Sequence, residues 1–301
     1  MKWIRNLLIA AIVVGLVTGM VILRSEIKTT LNNTQKPRIV ISLGKDLTTE
    51  QKNKMMEQFD AWQNGRTAQF ITVSNQEERK YLEGMIDEKL IGTKAISSVY
   101  LEILDKSRGI EVDTRNITAI TPFMYANALA TAGIENARVI VAAPFAVSGT
   151  AALTGIIKAF ETASGKNIKE DAKVAAHREI AETTKLGREI GSNKAEKLIY
   201  EVKRQVIEKN ISDPEEIRKI IIKVSADLNV KLSEADMDHI VSLMQNLKGL
   251  NLSIKQLNEQ LSGLQRNIKE VENSGREASG FLRQLFDAIA RLVGGIKNSL
   301  V

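Results

Sequence analysis

Short β-branched segments alternate with helix-start signals between residues 38 and 165, and this alternation constrains the fold more than any other feature of the chain. Val99–Asp105 and Ile110–Asn116 alternate apolar and polar residues on either side of a Gly-containing turn, so we expect a β-hairpin with one solvent-facing side. Continuous apolar runs typical of buried strands occur at Arg38–Leu43, Gln69–Ser74 and Arg138–Ala143.

Polar residues that commonly cap helices precede four segments of the same region. The order β-α-β-α-β-β-α-β-α that results predicts a mixed β-sheet covered by helices, in the α+β or α/β class. The predicted helices are Thr49–Phe59 after Thr48, one from Asn75 after Ser74, one from Pro122 to Gly133 after Thr121, and Ala151–Ala163 after Ser148 or Thr150.

The chain from residue 166 onward has helical periodicity throughout, with a helical region at 166–232 and a long helix at 233–273. Ten apolar residues from Ile240 to Val271 are spaced strictly 3-4-3-4, the pattern of a heptad seam. Such a helix would be roughly 50 Å long, with Gly249 and Gly263 inside it. The seam packs either onto the protein's own helices or onto a second copy of the chain.

The last segment, residues 277–301, is predicted to be an amphipathic helix. Phe281–Leu300 carries a broad apolar face, with charged residues on its other faces. This pattern is typical of a helix in a membrane interface. The alternative is a helix that folds back along the heptad seam.

The N-terminus contains seventeen consecutive uncharged residues, Leu7–Leu23, after Lys2 and Arg5. At about 1.5 Å per residue this run covers roughly 25 Å, the short end of a bilayer span. We therefore expect residues 1–24 to be an uncleaved, single-pass membrane anchor and residues 25–37 to be a linker, with the main body outside the cell membrane. Secretion after signal cleavage is the alternative, although Val17–Gly19 fits a cleavage site poorly.

The segment Ala142–Gly155 is the strongest candidate for a ligand site. A strand end, a proline turn and Ser148-Gly149-Thr150 at a helix start would direct free backbone N–H groups outward, as in anion-binding sites. Lys94, in the Gly92-Thr93-Lys94 loop, is a further candidate contact. The alternative is that Ser148 and Thr150 only cap the helix.

Other chemistry is sparse in the sequence. The absence of cysteine excludes disulfides and thiolate sites, and the common nucleotide, hydrolase and zinc motifs do not occur. His177 and His239 lie far apart in charged helices, so we expect both to be solvated. Of the net charge of +6, much lies at residues 1–37, with five Lys/Arg against one acid, which suits anionic lipid better than nucleic acid. We predict no catalytic residues, metal, cofactor or nucleic-acid partner.

Four short motifs stand out between residues 38 and 165: Leu43–Leu47, Asn75–Leu82, Ile91–Ser97 and Ala143–Gly155. Together they resemble the YpuA-like family of exported proteins of Gram-positive bacteria, which carry domain of unknown function number 1002. The resemblance covers roughly residues 38–245. It implies an extracytoplasmic location and supplies no catalytic residues that could be transferred.

These observations favour a membrane-tethered, extracytoplasmic protein that acts in the cell envelope by interaction rather than by catalysis. Its expected contacts are the membrane, through Leu7–Leu23 and through Phe281–Leu300, and a protein partner or a second copy through Ile240–Val271. The alternative is an envelope enzyme or a receptor for a small ligand or anion that uses the loop Pro144–Thr150.

Overall fold

A computed structural model of the protein describes residues 38–63, 65–250 and 252–262. The strands are β1 (Ile39–Gly44), β2 (Gln69–Val73), β3 (Ser98–Ile103), β4 (Ile110–Ile117) and β5 (Ala137–Val147). The helices are α1 (Thr49–Gln63), α2 (Asn75–Leu82), α3 (Glu88–Ile91), α4 (Pro122–Thr131), α5 (Thr150–Ser164), α6 (Glu170–Ile190), α7 (Ser192–Glu208), α8 (Pro214–Asp227), α9 (Glu234–Lys248) and α10 (254–262).

The five strands form one mixed sheet in the order β2-β1-β3-β5-β4. β1, β2, β4 and β5 run parallel to one another, and β3 is antiparallel to its neighbours β1 and β5. The predicted mixed sheet with helices, followed by helices, is confirmed. The predicted hairpin of Val99–Asp105 with Ile110–Asn116 is wrong, because β5 lies between β3 and β4. The central position of β3 buries both of its sides, Tyr100 and Leu101 alike.

The two faces of the sheet are covered by different helices. Ile39 and Ile41 of β1 face α1, where they pack with Phe59. Val40 faces the opposite side, in a core that also contains Phe123 of α4 and further residues of α5. This alternation along one strand is the period of two that a sheet buried on both sides requires.

Local capping explains where most of these helices begin. Thr48 and Gln51 exchange N–H···O bonds of 2.9 and 3.2 Å in a capping box, as predicted. Ser74 with Glu77 forms a second one at α2. Thr121 accepts a bond from Met124 N–H ahead of Pro122, so the predicted start of α4 is confirmed.

The later helices build a second apolar cluster. Residues of α7, α8 and α9 pack there, among them Leu198, Ile221 and Leu243, all fully buried. Residues of α6 and α7 such as Ile180 and Tyr200 instead join the core on the sheet. Residues 38–262 lie within one compact unit, and the proposed boundaries at 165/166 and 232/233 inside it stay predictions.

The interface of α4 with α6 and α7 holds an ion pair, which we call the buried junction. Lys203 Nζ lies 2.7 Å from Glu179 Oε1, and their side chains are 0% and 2% exposed. Asn127 and Thr131 donate to Glu179 at 2.8 and 2.6 Å. The carboxylate is thus satisfied by one cation and two polar groups.

The heptad residues do not lie on one continuous helix, so that prediction is wrong. α9 ends at Lys248, Gly249 and Leu250 form a turn, and α10 begins at 254. Glycine costs about 1 kcal/mol in a helix interior relative to alanine, which favours a break here. A new helix, α10, begins after the turn, where the carbonyl of Ser253 accepts the N–H of Leu257.

The heptad seam up to residue 261 is buried by the protein itself. Ile240, Leu243 and Leu247 belong to the second cluster, whereas Leu257 and Leu261 reach the core on the sheet. Of the two alternatives for these positions, packing onto the protein's own helices is the one observed. Self-association through the seam beyond residue 262 stays a prediction outside the described residues.

The predicted membrane segments also fall outside the described residues. These are the anchor and linker, residues 1–37, and the amphipathic helix at 277–301. None of the helices that the structure describes has the length and apolar character needed to span a bilayer.

Candidate functional site

A cavity of about 570 Å³ opens at the edge of the sheet where β1, β4 and β5 end and β3 begins. We call it the edge pocket. The carboxyl edge of parallel strands is the usual ligand site in open α/β sheets, since the loops there converge. Its lining residues are Asp46, Thr48, Gln51, Lys89–Lys94, Ile96, Thr118 and Phe145–Ser148.

One wall of the edge pocket is a segment that we call the strap, residues 87–94, which contains α3 and leads toward β3. The hydroxyls of Ser148 and Thr150 both donate to the carbonyl oxygen of Leu90, at 2.6 and 3.0 Å. Their prediction as helix caps is wrong, because the N-cap of α5 is Gly149 and no side chain caps it. The hydroxyls hold the strap against the start of α5 instead.

Three further contacts fix the strap and the residues after it. Arg79 of α2 donates to the carbonyl oxygen of Gly92 at 2.8 Å. Arg188 of α6 pairs with Asp87 at 2.9 Å, and the N–H of Ala95 donates to Asp46 at 2.8 Å. The strap is therefore tied to α2, α5 and α6 and to the loop after β1.

The backbone conformation and the close packing at residue 149 require glycine. Its φ of +94° is in the left-handed region, and an added Cβ would lie 2.5 Å from a methyl carbon of Ile117 and 2.6 Å from the Tyr125 hydroxyl. The same hydroxyl donates to the carbonyl oxygen of Gly149 at 2.6 Å. The Ser-Gly-Thr sequence thus has a packing role beside the pocket.

The structure brings Lys94 and Ser148, two of the predicted ligand residues, to the same cavity. Lys94 is exposed, as is Lys89 on the strap, and neither ammonium group forms a hydrogen bond or ion pair with any residue that the structure describes. Phe145, at the end of β5, is 48% exposed although it is a large aromatic side chain. Whether these residues bind a ligand stays a prediction.

Glu78 of α2 is a buried acid that sequence reasoning missed. It is fully buried, and burial raises its pKa to about 7, although Thr150 and Asn75 oppose the shift. Asn75 donates to Glu78 Oε2 at 3.1 Å, whereas Oε1 has no hydrogen-bond partner among the described residues. One feature of the sequence could have predicted this burial: Glu78 lies four residues before the apolar Leu82, so both side chains lie on one face of the helix.

A second cavity, of about 680 Å³, lies between residues 84–90 and helices α6 and α9. We call it the helix groove. Its cations already have partners, since Arg188 pairs with Asp87 and Arg178 donates to Ser242 at 2.8 Å. Lys185 Nζ lies 2.9 Å from the ring of His239.

His177 is fully buried, so the prediction of a solvated side chain is wrong for this residue. Its ring stacks on Tyr81, and its two nitrogens lie 3.0 Å from the Thr154 hydroxyl and 2.8 Å from the carbonyl oxygen of Lys173. Burial lowers its pKa to about 4. The side chain is thus neutral and satisfied within the fold. His239, by contrast, is 46% exposed in its side chain.

Metal binding finds no support in the part of the chain described here, where no group of three or more histidine, aspartate or glutamate side chains converges.

The comparisons with known proteins agree with the motifs. A family model described as "Protein of unknown function (DUF1002)" matches residues 43–264. The uncharacterized protein YpuA of Bacillus subtilis (strain 168) is 36% identical over 275 residues, which cover 91% of this chain and 93% of that relative. No solved structure matches the chain. The resemblance predicted from the sequence is confirmed, and the chain belongs to the DUF1002 family.

Proposed function

We propose that this protein is a non-enzymatic binding protein of the cell envelope, held at the membrane by Leu7–Leu23 with its folded body on the outer side. The observation that carries the binding role is the edge pocket, whose two lysines lack partners among the described residues. Placement outside the cell rests on the N-terminal apolar run and on the family resemblance.

The groups around the edge pocket favour binding over catalysis. A nucleophilic hydroxyl needs an adjacent base, but Ser148 and Thr150 donate to the carbonyl of Leu90. The carboxylate that lines the pocket, Asp46, accepts the N–H of Ala95. The hydroxyl and carboxylate groups therefore support the local backbone, while the lysines stay available to a ligand.

The placement is tested with a tagged full-length chain in a Gram-positive host. We expect the protein in the membrane fraction after a high-salt wash, since insertion of an apolar helix does not depend on ionic contacts. Added protease should remove the folded body from intact protoplasts. Recovery in the soluble cytoplasmic fraction, protected from protease, would contradict the proposal.

Two substitutions inside the apolar run, one disruptive and one conservative, test whether this segment holds the protein at the membrane. Val14→Arg introduces a charge at its centre, which costs about 3 kcal/mol on insertion scales and should release the protein from the membrane. Val14→Leu keeps the run apolar and should leave the distribution unchanged. Intact protein in the medium, beginning after Gly19, would instead support secretion with signal cleavage.

The second candidate is an envelope enzyme that uses the same loop, Pro144–Thr150. The observation in its favour is that Ser148 lines the edge pocket together with Lys94. An enzyme that uses Ser148 as its nucleophile would lose turnover in Ser148→Ala while keeping its affinity for substrate. A binding protein would show no turnover in either form.

A further inference from the structure

We infer that the edge pocket binds a small organic anion, with Lys89 and Lys94 at its negatively charged group and Phe145 against a ring or other apolar part. This inference rests on the proposed binding role and names the class of ligand. It goes beyond the predicted contacts in two ways: Lys89 joins Lys94 at the pocket, and Phe145, which lies in the predicted loop Pro144–Thr150, receives a specific role.

The charges around the pocket favour an anion. Lys89 and Lys94 line it, and the one carboxylate among its lining residues, Asp46, accepts a backbone N–H at 2.8 Å. Asp87, which lies near Lys89, already pairs with Arg188 and accepts the Lys89 backbone N–H at 2.9 Å. An incoming anion therefore meets two ammonium groups without a strong internal competitor.

Helix orientation adds to this positive field. α1 and α5, each of 15 residues, begin beside the pocket, at Thr49 and Thr150. The start of a helix carries about half a positive charge from its aligned peptide dipoles. Both helices therefore act in the same direction as the lysines, although the pocket does not depend on either helix alone.

The size of the pocket and Phe145 indicate that the ligand is more than an inorganic ion. A volume of about 570 Å³ falls in the range of small-molecule sites. The ring of Phe145 is half exposed at the wall, where apolar surface gains from burial by a ligand. Ile96 adds a second apolar side chain to the lining. A phosphate or carboxylate attached to an apolar group matches this arrangement.

The test measures binding of simple probes to the full chain in mild detergent, by titration calorimetry and ligand-observed NMR. Phenyl phosphate and benzoate carry an anion and a ring, inorganic phosphate carries the anion alone, and phenyl β-glucoside carries a neutral ring. We expect at least one of the two ring-bearing anions to bind more tightly than inorganic phosphate and phenyl β-glucoside. The preferred anion identifies the headgroup as phosphate or carboxylate.

Variants locate the site. Lys89→Gln with Lys94→Gln should weaken anion binding at least tenfold, and higher salt should weaken it in the wild type. Phe145→Ala should weaken only the ring-bearing anions. The matched control replaces Lys219 and Lys223, two exposed lysines of α8, by glutamine and should change nothing. Melting curves check that every variant is folded.

Two results would overturn the inference: no anion binds, or anions bind equally well to the Lys89→Gln/Lys94→Gln variant. If phenyl β-glucoside binds in a Phe145-dependent manner while no anion does, the edge pocket is a binding site for neutral ligands. In that case the proposed binding function survives and only the ligand class is wrong.

Discussion

Lysine side chains have opposite environments at the buried junction and at the edge pocket. At the junction Lys203 and Glu179 are removed from water and paired with each other. At the pocket Lys89 and Lys94 remain in water, without a partner among the described residues. Cavity size alone does not show this difference, whereas the pairing of each lysine does. The helix groove makes the same point, because it is larger than the edge pocket but its cations are already engaged.

The largest effect is expected at the buried junction. Lys203→Met removes the cation but keeps an apolar side chain of similar length, so Glu179 is left as an uncompensated buried charge. Removal of one partner of such a buried pair lowers the free energy of unfolding by about 3–5 kcal/mol. Urea unfolding should report a loss of this size in the free energy of unfolding.

The double variant Lys203→Met/Glu179→Gln is the control for that experiment. It removes both charges and leaves a neutral group near Asn127 and Thr131, so it should recover part of the loss. A loss below about 1 kcal/mol in the single variant would show that the two regions do not differ as described.

The next effect concerns Glu78 beneath the strap. Its folded pKa of about 7 lies above the ordinary value of 4.5, so the folded state retains a proton that the unfolded state releases. Its contribution to stability is full below about pH 4.5 and is lost as pH rises through about 7. Relative to the wild type, Glu78→Gln should therefore gain about 1–3 kcal/mol between pH 5 and pH 8.

The measurement is the difference in unfolding free energy between wild type and Glu78→Gln at several pH values. That difference isolates Glu78 from Glu196, whose pKa burial also raises to about 7, and from His177, whose pKa is lowered to about 4. Glu57→Gln, at an exposed position of α1, is the control. A difference that stays constant from pH 5 to pH 8 would refute the prediction.

A smaller effect is expected for the hydroxyls that hold the strap. Ser148→Ala removes one donor to the Leu90 carbonyl, while Thr150 still donates to it at 3.0 Å. One hydrogen bond is worth about 1 kcal/mol, and thermal unfolding should show a loss of that order. Thr93→Ala, at an exposed position of the strap, is the comparison and should lie within about 0.5 kcal/mol of the wild type.

The smallest effect on stability is expected at the pocket lysines. Lys89→Gln and Lys94→Gln alter exposed side chains without described partners, so each should change the free energy of unfolding by less than about 0.5 kcal/mol. Chemical unfolding measured beside the anion titrations checks this. A loss above about 1 kcal/mol would mean that these lysines support the fold, and the contrast with Lys203 would disappear.

The sequence predicted the features that depend on near neighbours. Capping at Thr48, Ser74 and Thr121 fixed three helix starts, since a cap bonds within three residues. Strand positions followed from apolar composition. The pairing of β3 did not, because its partner β5 begins 34 residues after β3 ends and nothing local to either strand encodes that contact.

The candidate site was predicted only in part, because some of its contacts join residues that are far apart in the sequence. Ser148 and Lys94 were identified from a loop and a helix start, and they do line one cavity. The acceptor of the Ser148 hydroxyl lies 58 residues away, at Leu90, so a local cap was the natural but wrong expectation. Burial of Glu78 and His177 likewise depends on helices that arrive from distant parts of the chain.

The insertion of β5 between β3 and β4 also has a consequence during synthesis. A nascent chain that ends before residue 137 contains β3 with only one of its two neighbours, and β4 without any. Unpaired strand edges invite association with other chains, and distant pairings form slowly. Until residues 137–147 emerge, the edges of β3 and β4 that β5 covers in the folded protein are therefore open to association with other chains.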